Sequence, residues 1–98
     1  MELKRVVVTG LGALTPLGNN IKDYWENSIK GVSGSDIITR FNPEKLKTKF
    51  ACEVRNFDPN DFFERKEARK LDLYSQFAVV SSDQAVKDSG IDTDSINK

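Results

Sequence analysis

Apolar positions change their spacing several times along this chain. Val6-Val7-Val8-Thr9 is a β-branched run bounded by Arg5 and Gly10. Its continuous apolarity predicts a strand buried on both faces, of the kind found in parallel sheets covered by helices. Gly10, Gly12, Pro16 and Gly18 then mark a loop with tight backbone turns. After the loop the period becomes four: Ile21, Trp25 and Ile29, with Tyr24 beside them, predict a helix over residues 21–30 with that stripe buried. Asn20 can cap its start and Gly31 can stop it at C′.

Residues 31–42 read as a turn-rich loop. Phe41-Asn42-Pro43 closes it, because the residue before proline avoids helical angles. Residues 49–55 alternate and predict a second strand, with Phe50, Cys52 and Val54 on one face. Asp58-Pro59 is a helix start, with the aspartate as cap and proline at N1. The longest helical stretch is 65–89, with a break near Leu71-Asp72. Leu73, Phe77 and Val80, together with Leu71, Tyr74, Ala78 and Ala85, make a broad apolar stripe. Ala78, Ser81, Ser82 and Ala85 form a small-residue face that would let another helix come close. Gly90 is the expected stop, and residues 92–98 are polar enough for one further turn or short helix. The order β-α-β-α stops where an α/β fold needs its next strand.

Composition narrows the function classes. Ninety-eight residues fit one small domain or part of a larger one. A domain of this size buries only about 60–68% of its unfolded surface. Fifteen cations balance fifteen anions, which argues against wholesale nucleic-acid binding. No apolar run approaches the roughly 18 residues of a membrane span, and the first residues lack the features of a signal peptide. A lone cysteine, Cys52, excludes an internal disulfide. The expectation is a cytoplasmic protein without a membrane segment. The chain has no histidine, so it can assemble neither a Ser-His nor a Cys-His pair. It also lacks a Cys/His cluster for zinc. No metal or cofactor site is expected.

Three features invite a chemical reading. The first is Val8-Thr9-Gly10-Leu11-Gly12, a glycine-rich loop after a strand. A dinucleotide site wants G-x-G-x-x-G opening into a helix. Here Thr15 occupies the third glycine position, and Pro16 after it has no N–H to offer a phosphate. The glycines are read as turn formers. The second is Cys52. A reactive thiol needs a base, a cation or a helix N-terminus beside it. Lys49 is a poor substitute, so Cys52 is expected to be a buried structural residue. The third is Arg65-Lys66-Glu67-Ala68-Arg69-Lys70. Lys66, Arg69 and Lys70 are spaced i, i+3, i+4 and share one helix face. Such a face is either simply solvated or a docking patch for an acidic partner.

Several segments, in order, carry a family likeness. Lys4-Arg5-Val6-Val7-Val8-Thr9-Gly10-Leu11-Gly12 with Thr15-Pro16-Leu17-Gly18-Asn19 resembles the opening of β-ketoacyl-acyl-carrier-protein synthases. So do Lys49-Phe50-Ala51, Arg65 to Asp72 with Gln76 after it, and Asp88-Ser89-Gly90. The nearest likeness is to the elongating type II branch of bacterial dissociated fatty-acid synthesis. The resemblance implies an α/β, thiolase-like fold layered αβαβα, with residues 1–98 an incomplete N-terminal portion of its N-terminal domain and no internal boundary. It implies a homodimer that condenses acyl-carrier protein with malonyl-carrier protein and loses carbon dioxide. The family's nucleophilic cysteine and two histidines belong to segments beyond Lys98, so no catalytic residue is expected here. By the same resemblance Lys66, Arg69 and Lys70 meet the acyl carrier protein. Two alternatives stay open: a polyketide-type ketosynthase, which shares the fold and chemistry, and a non-catalytic small α/β module that binds an acidic partner through the same three cations.

Overall fold

The computed structural model describes residues 2–92 and 94. The chain order is α1 (Ile21–Ile29), β1 (Ser35–Ile37), β2 (Phe50–Cys52), a 3-10 turn (Pro59–Asp61), α2 (Arg65–Lys70) and α3 (Leu73–Ser89). β1 and β2 pair antiparallel, with Asp36 opposite Ala51.

Most helix boundaries follow local chemistry. Asn20 caps α1 by accepting the Asp23 N–H at 2.8 Å. Asp58 caps the 3-10 turn through the Asn60 N–H, with Pro59 at its first position. The predicted break falls where expected: Leu71 and Asp72 are extended, with ψ of 132° and 157°. Gly90 ends α3 at φ 69°, in the left-handed region that a Cβ makes costly.

α3 is the spine on which the N-terminal loop lies. A Cβ on Gly12 would overlap the Ser81 carbonyl oxygen and sit 2.9 Å from the Ala85 nitrogen. One on Gly10 would overlap the Ala85 carbonyl oxygen and sit 2.7 Å from the Ser89 nitrogen. On the small-residue face, which would let a helix come close, the structure seats this loop at Ser81 and Ala85, while Ala78 and Ser82 stay exposed. Only a backbone stripped of side chains fits at that distance. Hydrogen bonds fix the contact. The Leu11 N–H donates to Asp88 Oδ2 at 3.0 Å, and the Ala13 N–H to Gln84 Oε1 at 3.0 Å. Gln84 Nε2 donates onward to the Asn19 carbonyl at 2.7 Å.

The interior is small. Val80, 3% exposed, and Gln76, 6% exposed, are the buried residues among those described. Phe57 links the segment after β2 to its neighbours: it stacks on Phe62 at 5.5 Å and meets Phe77 edge-on at 5.1 Å. Aromatic pairs of this geometry add about 0.5–1.5 kcal/mol beyond area burial.

Four expectations need correction. Residues 6–9 carry no strand ladder, and Val6 is 89% exposed. A strand is stabilised by its neighbours, and among the described residues none lies beside this run. The α1 stripe is present but uncovered: Trp25 is 61% exposed and Ile29 is exposed too. The second strand shrinks to three residues, and its predicted apolar face is open, with Phe50 and Cys52 both exposed. Finally, the loop before Asn42 contains β1, Ser-Asp-Ile, too short and too polar for alternation to mark it as a strand. The surface area is 8449 Å², against about 5,600 Å² for a folded monomer of this mass. The radius of gyration is 17.5 Å, against about 13 Å for a globule of 100 residues. The segment is an open framework rather than a closed globule.

Candidate docking face

α2 forms because Arg, Lys, Glu, Ala, Arg and Lys are all strong helix formers. It ends at Leu71, where extended backbone at Leu71 and Asp72 separates it from the start of α3. Between these limits the helix exposes Lys66, Arg69 and Lys70 together. Arg69 and Lys70 lie in the last turn, where the helix dipole favours cations. Ion pairs among the described residues join Arg40 to Glu53, Arg55 to Asp36 and Lys87 to Asp83. None of them involves the α2 cations, whose charge faces solvent.

α2 packs against the 3-10 turn and is tied to α3 by Gln76. Gln76 Nε2 donates to the Ala68 carbonyl at 2.9 Å and to the Leu71 carbonyl at 3.4 Å. The Ala68 carbonyl also accepts the Leu71 N–H at 3.4 Å, so Gln76 adds a second donor at the end of α2, where carbonyls run short of helical partners. Two acceptors in that position fix which end of the amide faces α2. Gln76 Oε1 is buried with no hydrogen-bond partner among the described residues. A functional reading of the sequence passed over Gln76. The available signal was a polar residue set among Leu73, Phe77 and Val80 on the apolar face of α3.

Cys52 sits on β2 opposite Ser35 and is exposed. The expected buried position is therefore corrected, because nothing in the described residues covers that face of the short sheet. Its neighbour Glu53 is engaged elsewhere: it accepts from the Thr39 N–H at 2.7 Å and pairs with Arg40 at 3.6 Å. A cleft of about 430 Å³ lies between the Thr15–Asn19 turn, α1 and Arg55. Asp23 and Arg55 line it, but neither a cysteine nor a histidine does. Among the described residues no group of His, Cys, Asp and Glu is arranged to hold a metal ion, and no helix is long and apolar enough to cross a membrane. The glycine loop has two of its amides occupied by Asp88 and Gln84, which leaves them unable to cradle a phosphate.

Comparison with known proteins places this framework. Residues 3–98 match the family described as "Beta-ketoacyl synthase, N-terminal domain". The chain is similar to 3-oxoacyl-[acyl-carrier-protein] synthase 2 of Staphylococcus aureus, with 48% identity over 89 residues, covering 91% of this chain and 22% of that protein. It is also similar to the protein of the same name from Synechocystis, with 44% identity over 97 residues, covering 99% of this chain and 23% of that one. Among solved structures, an ishigamide ketosynthase/chain length factor superposes with a TM-score of 0.76 at 30% identity, over 94% of this chain and 23% of its own. The chain thus spans between a fifth and a quarter of the length of these relatives, and its α/β framework is the corresponding part of a thiolase-like ketosynthase fold. This chain belongs to the β-ketoacyl synthase family, as part of its N-terminal domain.

Proposed function

We propose that this segment opens a 3-oxoacyl-acyl-carrier-protein synthase of fatty-acid elongation, and that α2 forms part of the surface on which the carrier protein docks. The observation that carries the reading is the match to two synthase 2 proteins at 44–48% identity over nearly the whole segment. The lower identity to the ketosynthase/chain length factor favours the fatty-acid branch over a polyketide one. Residues 1–98 are then the first portion of the synthase's N-terminal domain, with no internal boundary. The rest of that protein, and its partner in a homodimer, would cover the apolar surface left open here.

In this reading an acyl group is carried as a thioester on a cysteine outside the segment. Decarboxylation of malonyl-carrier protein yields the carbanion that attacks it. A 3-oxoacyl-carrier protein and carbon dioxide result. The segment contributes no nucleophile and no base. Its part is electrostatic: Lys66, Arg69 and Lys70 present a local positive field to a small acidic carrier, which steers encounter and sets orientation. The test uses a synthase whose first 98 residues are those of this chain. Supplied with acyl- and malonyl-carrier protein, it should form 3-oxoacyl-carrier protein, and peptide mass spectrometry should find the acyl group on a cysteine other than Cys52. Absence of product, or acylation at Cys52, would reject the reading.

A further inference from the structure

We propose that Gln76 is the positioning residue of the carrier-docking face, holding α2 at a fixed angle to α3 so that its three cations face outward together. The inference rests on the docking role proposed for α2.

Three observations support it. First, α2 has only six residues and lacks a side-chain cap at its start, so its own hydrogen bonds do little to fix its direction. Second, the chain on both sides of the joint is extended at Leu71 and Asp72, and such a joint can swing unless something crosses it. Gln76 crosses it: its Nε2 reaches the last-turn carbonyl of Ala68 and the joint carbonyl of Leu71 from the first turns of the longer helix. Third, Gln76 is buried on the same stripe of α3 as Leu73, Phe77 and Val80, and its Oε1 has no hydrogen-bond partner among the described residues. A buried amide with one unanswered oxygen does not maximise stability. What the amide provides, and a hydrocarbon of the same shape cannot, is the pair of donors that bridges the joint.

The effect on docking follows from geometry. Lys66, Arg69 and Lys70 sit on one six-residue helix. A swing of α2 moves all three charges together relative to any second contact that the carrier makes. Losing the bridge should weaken productive docking without touching the chemistry.

The experiment again uses a synthase whose first 98 residues are those of this chain, with Gln76→Met as an isostere lacking donors and Gln76→Glu as a second variant of the same shape. Two readouts are taken. In hydrogen exchange, the amides of residues 68–71 should exchange about three- to ten-fold faster in Gln76→Met, with the middle of α3 unchanged. In kinetics, KM for carrier-bound acyl substrates should rise by a similar factor, while kcat and the reaction of small pantetheine thioesters stay as in the parent. Arg69→Glu is measured alongside. If Gln76→Met leaves exchange in α2 unaltered, or slows both substrate classes equally, Gln76 does not position the face. If exchange quickens and only Arg69→Glu shows the carrier-selective effect, docking through α2 stands and the positioning role falls. If exchange quickens but even Arg69→Glu shows no carrier selectivity, the docking reading itself fails and takes the positioning role with it. Should Gln76→Met lose small-thioester activity through misfolding, Gln76→Glu decides by the same two readouts.

Discussion

No cation of the α2 face contributes much alone. An exposed ion pair is worth about 0–1 kcal/mol, and charge reversal both loses that attraction and adds a comparable repulsion, so reversing one residue should change carrier binding by roughly two- to ten-fold. Lys66→Glu and Lys70→Glu should each raise KM for carrier-bound substrates in that range. Combined with Arg69→Glu they should give less than the product of the single effects, since one patch is being dismantled. Fully multiplicative effects would mean three independent sites. Cys52 is the opposite case. It is exposed on β2 with no histidine in the chain to activate it, so Cys52→Ser should leave condensation within about two-fold of the parent. A larger loss would show that the thiol takes part in the chemistry. The cation spacing was legible in the sequence because i, i+3, i+4 needs only a helix to become a face. The place of Cys52 was not, because alternation marks a shared strand face but says nothing of what lies over it.

At the scale of elements, sequence signals that act locally were the readable ones. Asn20, Asp58 and Gly90 each mark a terminus through their own side chain or their lack of one. The break at Leu71-Asp72 was visible as an interruption between two helical patterns. What lay beyond reading was the partner of each face. Ser81, Ala85 and Ser89 form a groove along α3 that accepts a glycine backbone, and smallness alone does not distinguish a helix from a loop as the occupant. The resulting prediction is sharp. Gly12→Ala puts a methyl group into the Ser81 carbonyl, so the loop must lift from α3 and lose the Leu11–Asp88 and Ala13–Gln84 hydrogen bonds. A cost of about 1–3 kcal/mol is expected from overpacking against the α3 backbone. In the full-length synthase this should appear as a lowered unfolding temperature or loss of soluble protein. Retention of parental stability would mean that the loop does not lie on α3.

For the whole molecule, the excess surface governs behaviour. Roughly half as much again is exposed as a monomer of this mass should show, and it includes Val6, Val7, Val8, Trp25 and Ile29. The both-faces-apolar pattern of residues 6–8 was the clue: such a strand belongs to a sheet that the described residues do not themselves build. Expressed alone, the segment should associate with rising concentration and melt without a cooperative transition. It should form no 3-oxoacyl product from carrier-bound substrates. A monomer with a sharp two-state transition would contradict the first expectation, and product formation the second.

The most direct test of the central claim compares Arg69→Glu with the parent in a synthase whose first 98 residues are those of this chain. The kcat/KM for a carrier-bound acyl substrate is divided by that for the matching small pantetheine thioester. Docking through α2 predicts that the reversal lowers this ratio. It also predicts that the loss shrinks between 0.1 M and 1 M salt, as the Debye length falls from about 10 Å to about 3 Å. A ratio unchanged by the reversal at every salt concentration would make α2 a solvated surface and leave carrier recognition to other parts of the protein.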